Sequence, residues 1–237
     1  MQKHFLVITL LSIFFLFSNL SCEKDSASSK DDDTVTDIDG NVYNTVTIGD
    51  QVWMAENLKV THFRNGDAIS NVTDDSDWEN LTSGAYCIYD NNDSNAVTYG
   101  FLYNWYAVND SRNIAPAGWH VPTDEEWKQL EMYLGMSQSE ADVTGDRGTN
   151  EGSKLKSTSG WNDNSNGTDE SSFSASPGGY RYYSGSYYYI GYFAYFWSST
   201  ESSRYFAWNR YLNCLSSVVY RYGYYKRSGF SVRCVRG

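Results

Sequence analysis

Between Tyr180 and Arg236 aromatic residues recur in short, strand-like runs, broken by Gly185, Gly191, Gly223 and Gly229. Aromatic and β-branched side chains fit the pleated surface of a sheet, while glycine supplies the turns between strands. The bias extends to the whole chain: 8 Trp, 21 Tyr and 11 Phe make up 17% of 237 residues, beside 19 Gly and only 3 Pro. Long helical architectures, which draw on Ala, Glu, Lys and Leu, do not match that usage. A β-rich domain is expected. The chain carries 18 Lys and Arg against 29 Asp and Glu, a net charge of −11. That balance argues against a nucleic-acid partner, whose phosphates need a basic face. No fixed-period repeat is visible.

The first 21 residues read as a lipoprotein signal peptide. Met1-Gln2-Lys3 is a short cationic start, and Phe5–Phe17 is apolar except for Thr9 and Ser12. A run of about 13 residues is too short to span a bilayer but suits the core of a signal peptide. It ends in Ser21-Cys22, a small residue before a cysteine, similar to the lipobox of bacterial lipoproteins. Cleavage there leaves Cys22 to carry lipid, so the expected partner is a membrane reached by an anchor rather than a span. Asn19 stands where that motif usually has Leu. The plain alternative is ordinary secretion with Cys22 as a thiol. Residues 22–36 are polar, small and charged, and read as a flexible tether. Ser26 and Thr34 each follow an Asp and precede an apolar residue. That pattern resembles the O-glycosylation acceptors of Bacteroidota, whose surface-export signal the acidic tether also resembles.

The globular part is expected over 37–237. Val42–Ile48 and Gln51–Met54 read as a hairpin, with Gly49 free to take the positive φ of its turn. Gly84–Tyr89 and Val97–Tyr106 are further apolar-aromatic runs. Thr123 and Glu126 form a capping box that opens a helix, in which Trp127, Leu130 and Leu134 recur at helical spacing. That position explains Glu125 and Glu126 better than acid/base chemistry does.

Seven ordered stretches then identify a resemblance: Asp37–Tyr43, Val52–Leu58, Gly100–Val108, Ala117–Thr123, Pro177–Arg181, Phe196–Glu201 and Gly229–Arg236. Together they resemble the Fibrobacter succinogenes major paralogous domain, a family without an established activity. The Trp-rich middle and the Gly-Phe-x-x-Arg-Cys ending are similar to C-type-lectin-like and formylglycine-generating-enzyme folds. The resemblance implies an α+β domain with short twisted antiparallel strands, one clear helix, long loops and its two ends in one sheet. Family members often carry a cysteine where this chain has Ala115, which puts the partner of Cys234 in question. A hairpin centred on Tyr224 would set Cys214 opposite Cys234 at disulfide distance, leaving Cys87 as a buried thiol.

The candidate chemistry is sparse. Only His62 and His120 lie outside the signal, and no Gly-x-Ser-x-Gly elbow accompanies them. A structural role is expected of His120. Trp161, Asn162, Asp163, Asn164, Asn166 and Asp169 form the densest oxygen cluster, and its first three residues resemble the calcium-holding Trp-Asn-Asp of C-type lectins. Calcium is therefore the one cofactor to consider, against a plain Asn/Asp/Gly turn. Tyr187, Tyr188 and Tyr189 are a candidate aromatic surface, since sugars pack C–H faces on rings. The reading is an outer-membrane, surface-exposed lipoprotein with a non-catalytic domain that binds extracellular glycan or glycoprotein. A carbohydrate-active or modifying enzyme and a structural surface protein are the alternatives.

Overall fold

The computed structural model describes Met1 and residues 33–237, so Cys22, Ser26 and the signal peptide lie outside the described residues. The strands are β1 (Thr34–Thr36), β2 (Val42–Ile48), β3 (Gln51–Met54), β4 (Ser70–Asn71), β5 (Ala85–Cys87), β6 (Leu102–Tyr103) and β7 (Trp119–His120). They continue with β8 (Gly145–Arg147), β9 (Gly178–Arg181), β10 (Tyr187–Ile190), β11 (Phe193–Glu201), β12 (Phe206–Asn213), β13 (Val219–Tyr225) and β14 (Val235–Arg236). The helices are α1 (Asp75–Glu79), α2 (Asp93–Tyr99), α3 (Trp105–Val108), α4 (Asp124–Tyr133), α5 (Gln138–Ala141) and α6 (Glu151–Leu155).

Thr34–Thr36 belongs to the domain rather than to the tether. Its backbone pairs with β2, Thr34 opposite Asn44, and leaves Thr34 exposed. The hairpin of β2 and β3 closes at Ile48 and Gln51, with Gly49 at φ 63°. This sheet runs β1-β2-β3-β14-β7, so the last strand of the chain inserts beside the first hairpin. The first and last strands of the described residues therefore share one sheet.

A second sheet runs β10-β9-β11-β12-β13-β8, and a small third one runs β4-β5-β6. The α+β expectation holds at that level: curled, mostly antiparallel sheets with few short helices. The apolar-aromatic run Val97–Tyr106 is divided among α2, β6 and α3. Asn92 accepts the Ser94 amide and starts α2, and Asn104 accepts the Ala107 amide and starts α3, so helical caps override an apolar run.

The longest helix, α4, begins at the Thr123–Glu126 capping box and buries Trp127 and Leu130 against the large sheet. The Trp127 ring lies 4.9 Å from Trp53 and 5.8 Å from both Phe173 and Phe196. Burying one such side chain stabilises by about 1.5–3 kcal/mol. Beneath the same helix, Glu131 takes two bonds of 2.8 Å from Arg147 and one of 2.6 Å from Arg210. Asp124 takes Arg210 at 2.7 Å and Arg221 at 2.9 and 2.7 Å. Both acids are buried, and this network clamps α4 to β8, β12 and β13.

The cysteine pairing is also corrected. β12 and β13 pair from Phe206↔Tyr225 to Tyr211↔Tyr220, so the connection runs past Cys214 and Ser216 and not through Gly223. Gly223 lies inside β13, opposite Trp208. Cys214 sits in the core under α4, while Cys234 leads into β14 in the other core, with Tyr43, Met54 and Ala115. Cys87, Cys214 and Cys234 are all buried free thiols.

Candidate functional site

Strand alternation places one aromatic face across the large sheet. On β11 this face carries Phe193, Tyr195 and Trp197; register brings Tyr211 and Asn209 of β12 beside them, then Tyr220, Tyr222 and Tyr224 of β13. Tyr188 of β10 lies opposite Tyr180 of β9, and the Tyr180 ring is 4.6 Å from Tyr195. Tyr211 stacks on Tyr220 at 4.3 Å with the planes 8° apart, and on Tyr195 at 4.9 Å. Tyr189 meets Phe193 at 4.8 Å. The rings form a continuous ladder, buried at Tyr195 and Trp197 and open at its margins.

Exposure separates the candidate tyrosines. Tyr187 turns inward: its hydroxyl donates to Asn91 at 2.9 Å, and the Arg181 guanidinium lies 4.8 Å from its ring centre. Tyr188 is 42% exposed, Tyr189 50% and the neighbouring Tyr192 40%. Tyr189 also holds φ at 65°, a left-handed backbone that costs a bulky residue about 1–2 kcal/mol. Its cross-strand neighbour on β9, Gly179, has φ 64°, and a Cβ there would lie 2.5 Å from the Tyr188 carbonyl oxygen. A strained, half-exposed tyrosine is thus held against a glycine that nothing larger replaces. Burial pushes the phenols of Tyr195, Tyr211 and Tyr224 above the ordinary range, so these hydroxyls stay protonated and able to donate.

The oxygen-rich loop spends its side chains on itself. Asn166 accepts the Trp161 amide at 3.1 Å, and Asp169 accepts the Ser174 amide at 2.7 Å and its hydroxyl at 2.5 Å. Asn162 packs under Gly191, whereas Asp163 and Asn164 take left-handed turn conformations. Trp161 is buried and donates to the Ala175 carbonyl at 3.2 Å. These are the contacts of an Asn/Asp/Gly turn.

Behind the loop stands a residue that the sequence reading did not single out. The Lys156 ammonium reaches the carbonyls of Ser165, Asn213 and Ser216 at 3.2, 3.2 and 3.0 Å, and that of Cys214 at 3.5 Å. It also lies 5.1 Å from the Trp161 ring centre. A lysine cation thus fills a cage of backbone oxygens. Among the described residues, no group of three or more His, Cys, Asp or Glu is placed to hold a metal.

The histidines are partnered locally. His120 shares a 2.7 Å bond with Glu126, the capping-box acid, and His62 one of 2.6 Å with Asp39. Thr61 contacts the same His62 nitrogen at 3.0 Å. A nucleophilic triad needs hydroxyl and acid at opposite ring nitrogens, so this is not one. Asp124 and Glu131 are saturated by arginines. Burial alone would raise the Asp124 carboxyl, but Arg221 and Arg210 hold it below the ordinary range. Such a group is a fixed anion rather than an acid/base catalyst.

The geometry so assembled belongs to a known sequence family, since the model of the Fibrobacter succinogenes major domain matches residues 46–236. The chain belongs to this family. The matched span runs from inside β2 to the last strand, so it includes the tyrosine ladder, the Lys156 cage and the α4 clamp of this Fibrobacter succinogenes major domain. No curated protein and no solved structure matches the chain.

Proposed function

We propose that this chain is a lipoprotein, anchored through Cys22 at the outer membrane and exposed at the cell surface, whose domain binds extracellular glycan or glycoprotein without catalysis. The observation that carries the binding reading is Tyr189: half exposed, at the open end of a tyrosine ladder, and held in a strained backbone conformation. Strain of that kind persists where the surrounding structure imposes it, and it gathers at binding sites. Exposed rings offer the faces that sugar C–H groups pack on, and neutral phenols offer hydroxyls to hydrogen-bond with sugar oxygens. A relation to C-type-lectin-like folds is the finer structural reading. The insertion of β14 between β3 and β7, which brings the first and last described strands into one sheet, supports it.

The test is a glycan array probed with the full-length protein in detergent and with Tyr188→Ala and Tyr189→Gly. Tyr189→Gly relieves the left-handed backbone as it removes the ring, so its melting temperature stays within a few degrees while glycan binding falls several-fold. Unchanged binding in both variants would return the ladder to a purely structural role. For the anchor, Cys22→Ser should move the protein from the detergent phase to the aqueous phase or block its processing. Equal partitioning of the two proteins would refute lipid attachment.

A further inference from the structure

The segment Gly229–Arg236 alternates sides: Val232 and Cys234 enter one core, and Arg233 points the other way. Arg233 is 1% exposed and lies over the Phe173 ring at 4.2 Å. Its Nε donates to Asn57 Oδ1 at 2.9 Å, Nη1 to the Phe173 carbonyl, and Nη2 to the Ser174 carbonyl at 2.9 Å. Every one of these acceptors is neutral. Burying a guanidinium among neutral groups is costly unless an anion balances it. The acids that act on it, Asp169 and Glu56, do so from further away, and neither forms an ion pair with it. Asp169 is bound to Ser174, and Glu56 accepts the Asn44 amide at 2.5 Å.

Arg233 forms part of the wall of a cleft of about 200 Å³, together with Asn57, Lys59, Ser174 and Ser176, and with Glu56 also on its wall. Lys59 is half-buried, and among the described residues neither Lys59 nor Arg233 has an ion-pair partner. By contrast, Arg112, Arg147, Arg181, Arg210, Arg221, Lys128 and Lys226 each meet a carboxylate. Two cations without a directly paired carboxylate, against the one carboxylate of Glu56, therefore line one opening of a chain whose net charge is −11.

We propose that this cleft binds the carboxylate of an acidic sugar, with Arg233 and Lys59 as its counter-charges. A uronic acid meets the chemistry of the walls: its carboxylate faces the two cations, and its hydroxyls face Ser176 and the polar rim. The site is separate from the tyrosine ladder, and only its choice of a sugar rests on the glycan reading.

The decisive measurement is calorimetric titration of the full-length protein in detergent with glucuronate, galacturonate, glucose and acetate. Glucuronate or galacturonate should bind and raise the melting temperature, and glucose should do neither. Lys59→Gln, at a half-buried position, keeps the fold and should weaken uronate binding at least ten-fold, whereas Tyr188→Ala should leave it unchanged. Burial pushes the Arg233 guanidinium down to about 9. Binding should therefore decline as pH passes that value, well below the ordinary range of arginine. Failure of both uronates to bind, equal binding of glucose, or full binding by Lys59→Gln would each overturn the site. Acetate binding as tightly as uronate would overturn its sugar specificity. Loss of uronate binding with array binding intact would refute this cleft alone, and the reverse would refute the ladder alone.

Discussion

At the scale of single residues, Lys156 shows how a buried cation beside the loop from Trp161 to Glu170 is satisfied by backbone carbonyls. The Lys156 ammonium has three protons for the four carbonyls around it, so every proton has an acceptor. Burial lowers its proton affinity relative to an ordinary lysine, yet the oxygen cage and the Trp161 ring favour the charged form. Lys156→Met removes the cation and leaves those oxygens without their donor. Each unsatisfied buried carbonyl costs about 1–3 kcal/mol, and some will reach water, so a loss of roughly 2–4 kcal/mol is expected. Chelator should leave the melting temperature of the unaltered protein where it was, because a ligand stabilises only where it binds. A chelator-dependent melt would show that the loop holds calcium beside the lysine. The composition of the loop was legible in the sequence. The lysine was not, because it lies before the loop and three of its four acceptors, those of Asn213, Cys214 and Ser216, lie some 60 positions away.

At the scale of elements, α4 is held by charge as well as by apolar contact. Glu131→Gln keeps the shape but leaves Arg147 and Arg210 facing a neutral amide, with Arg210 still on Asp124. Breaking a buried network in this way costs about 3–5 kcal/mol. A urea titration should show the midpoint falling with little change in slope. Thr123→Ala should cost only about 1 kcal/mol, since it removes the two bonds of the cap hydroxyl to Glu126 and keeps the backbone one. The contrast between the two variants measures how much of the helix is secured from across the sheet. It also explains what could be read beforehand. The capping box and the Gly49 hairpin are local, so their residues announce them. The β12–β13 connection is not announced by its glycine: Asn213 makes the turn by accepting the Leu215 amide at 2.8 Å, while Gly223 stays in the strand. A hairpin centred on Tyr224 fails because Tyr224 lies inside β13, opposite Ala207, and Cys214 and Cys234 stay apart as free thiols in separate cores.

At the scale of the whole molecule, the aromatic bias that makes the sheets also sets their limit in alkali. Which tyrosines are buried was not legible, because alternation gives two faces and the cover of one comes from distant residues such as Phe230 and Tyr103. The outcome is that Tyr43, Tyr103 and Tyr195 are buried, and burial raises their phenols above the ordinary value of 10.0. Raised acids contribute stability that is complete below pH 10 and is lost above it, where the unfolded chain releases protons that the folded chain keeps. Each such group costs about 1.4 kcal/mol per pH unit once that window is entered, so these three together cost about 4 kcal/mol per unit. Lys156 and Arg233, lowered by burial, act with the opposite sign: the unfolded chain binds more protons there, so stability rises with pH until the ordinary lysine and arginine values are passed. The tyrosines outnumber them. Arg233 offsets about 1.4 of the 4 kcal/mol per unit, so a domain stability of about 5–15 kcal/mol should be exhausted from about two units above pH 10 upward. Tyrosinate absorbance and far-ultraviolet circular dichroism, followed together through an alkaline titration, should change in one cooperative step. Ionisation of all the tyrosines with the dichroism unaltered would show that the buried phenols do not couple to the fold.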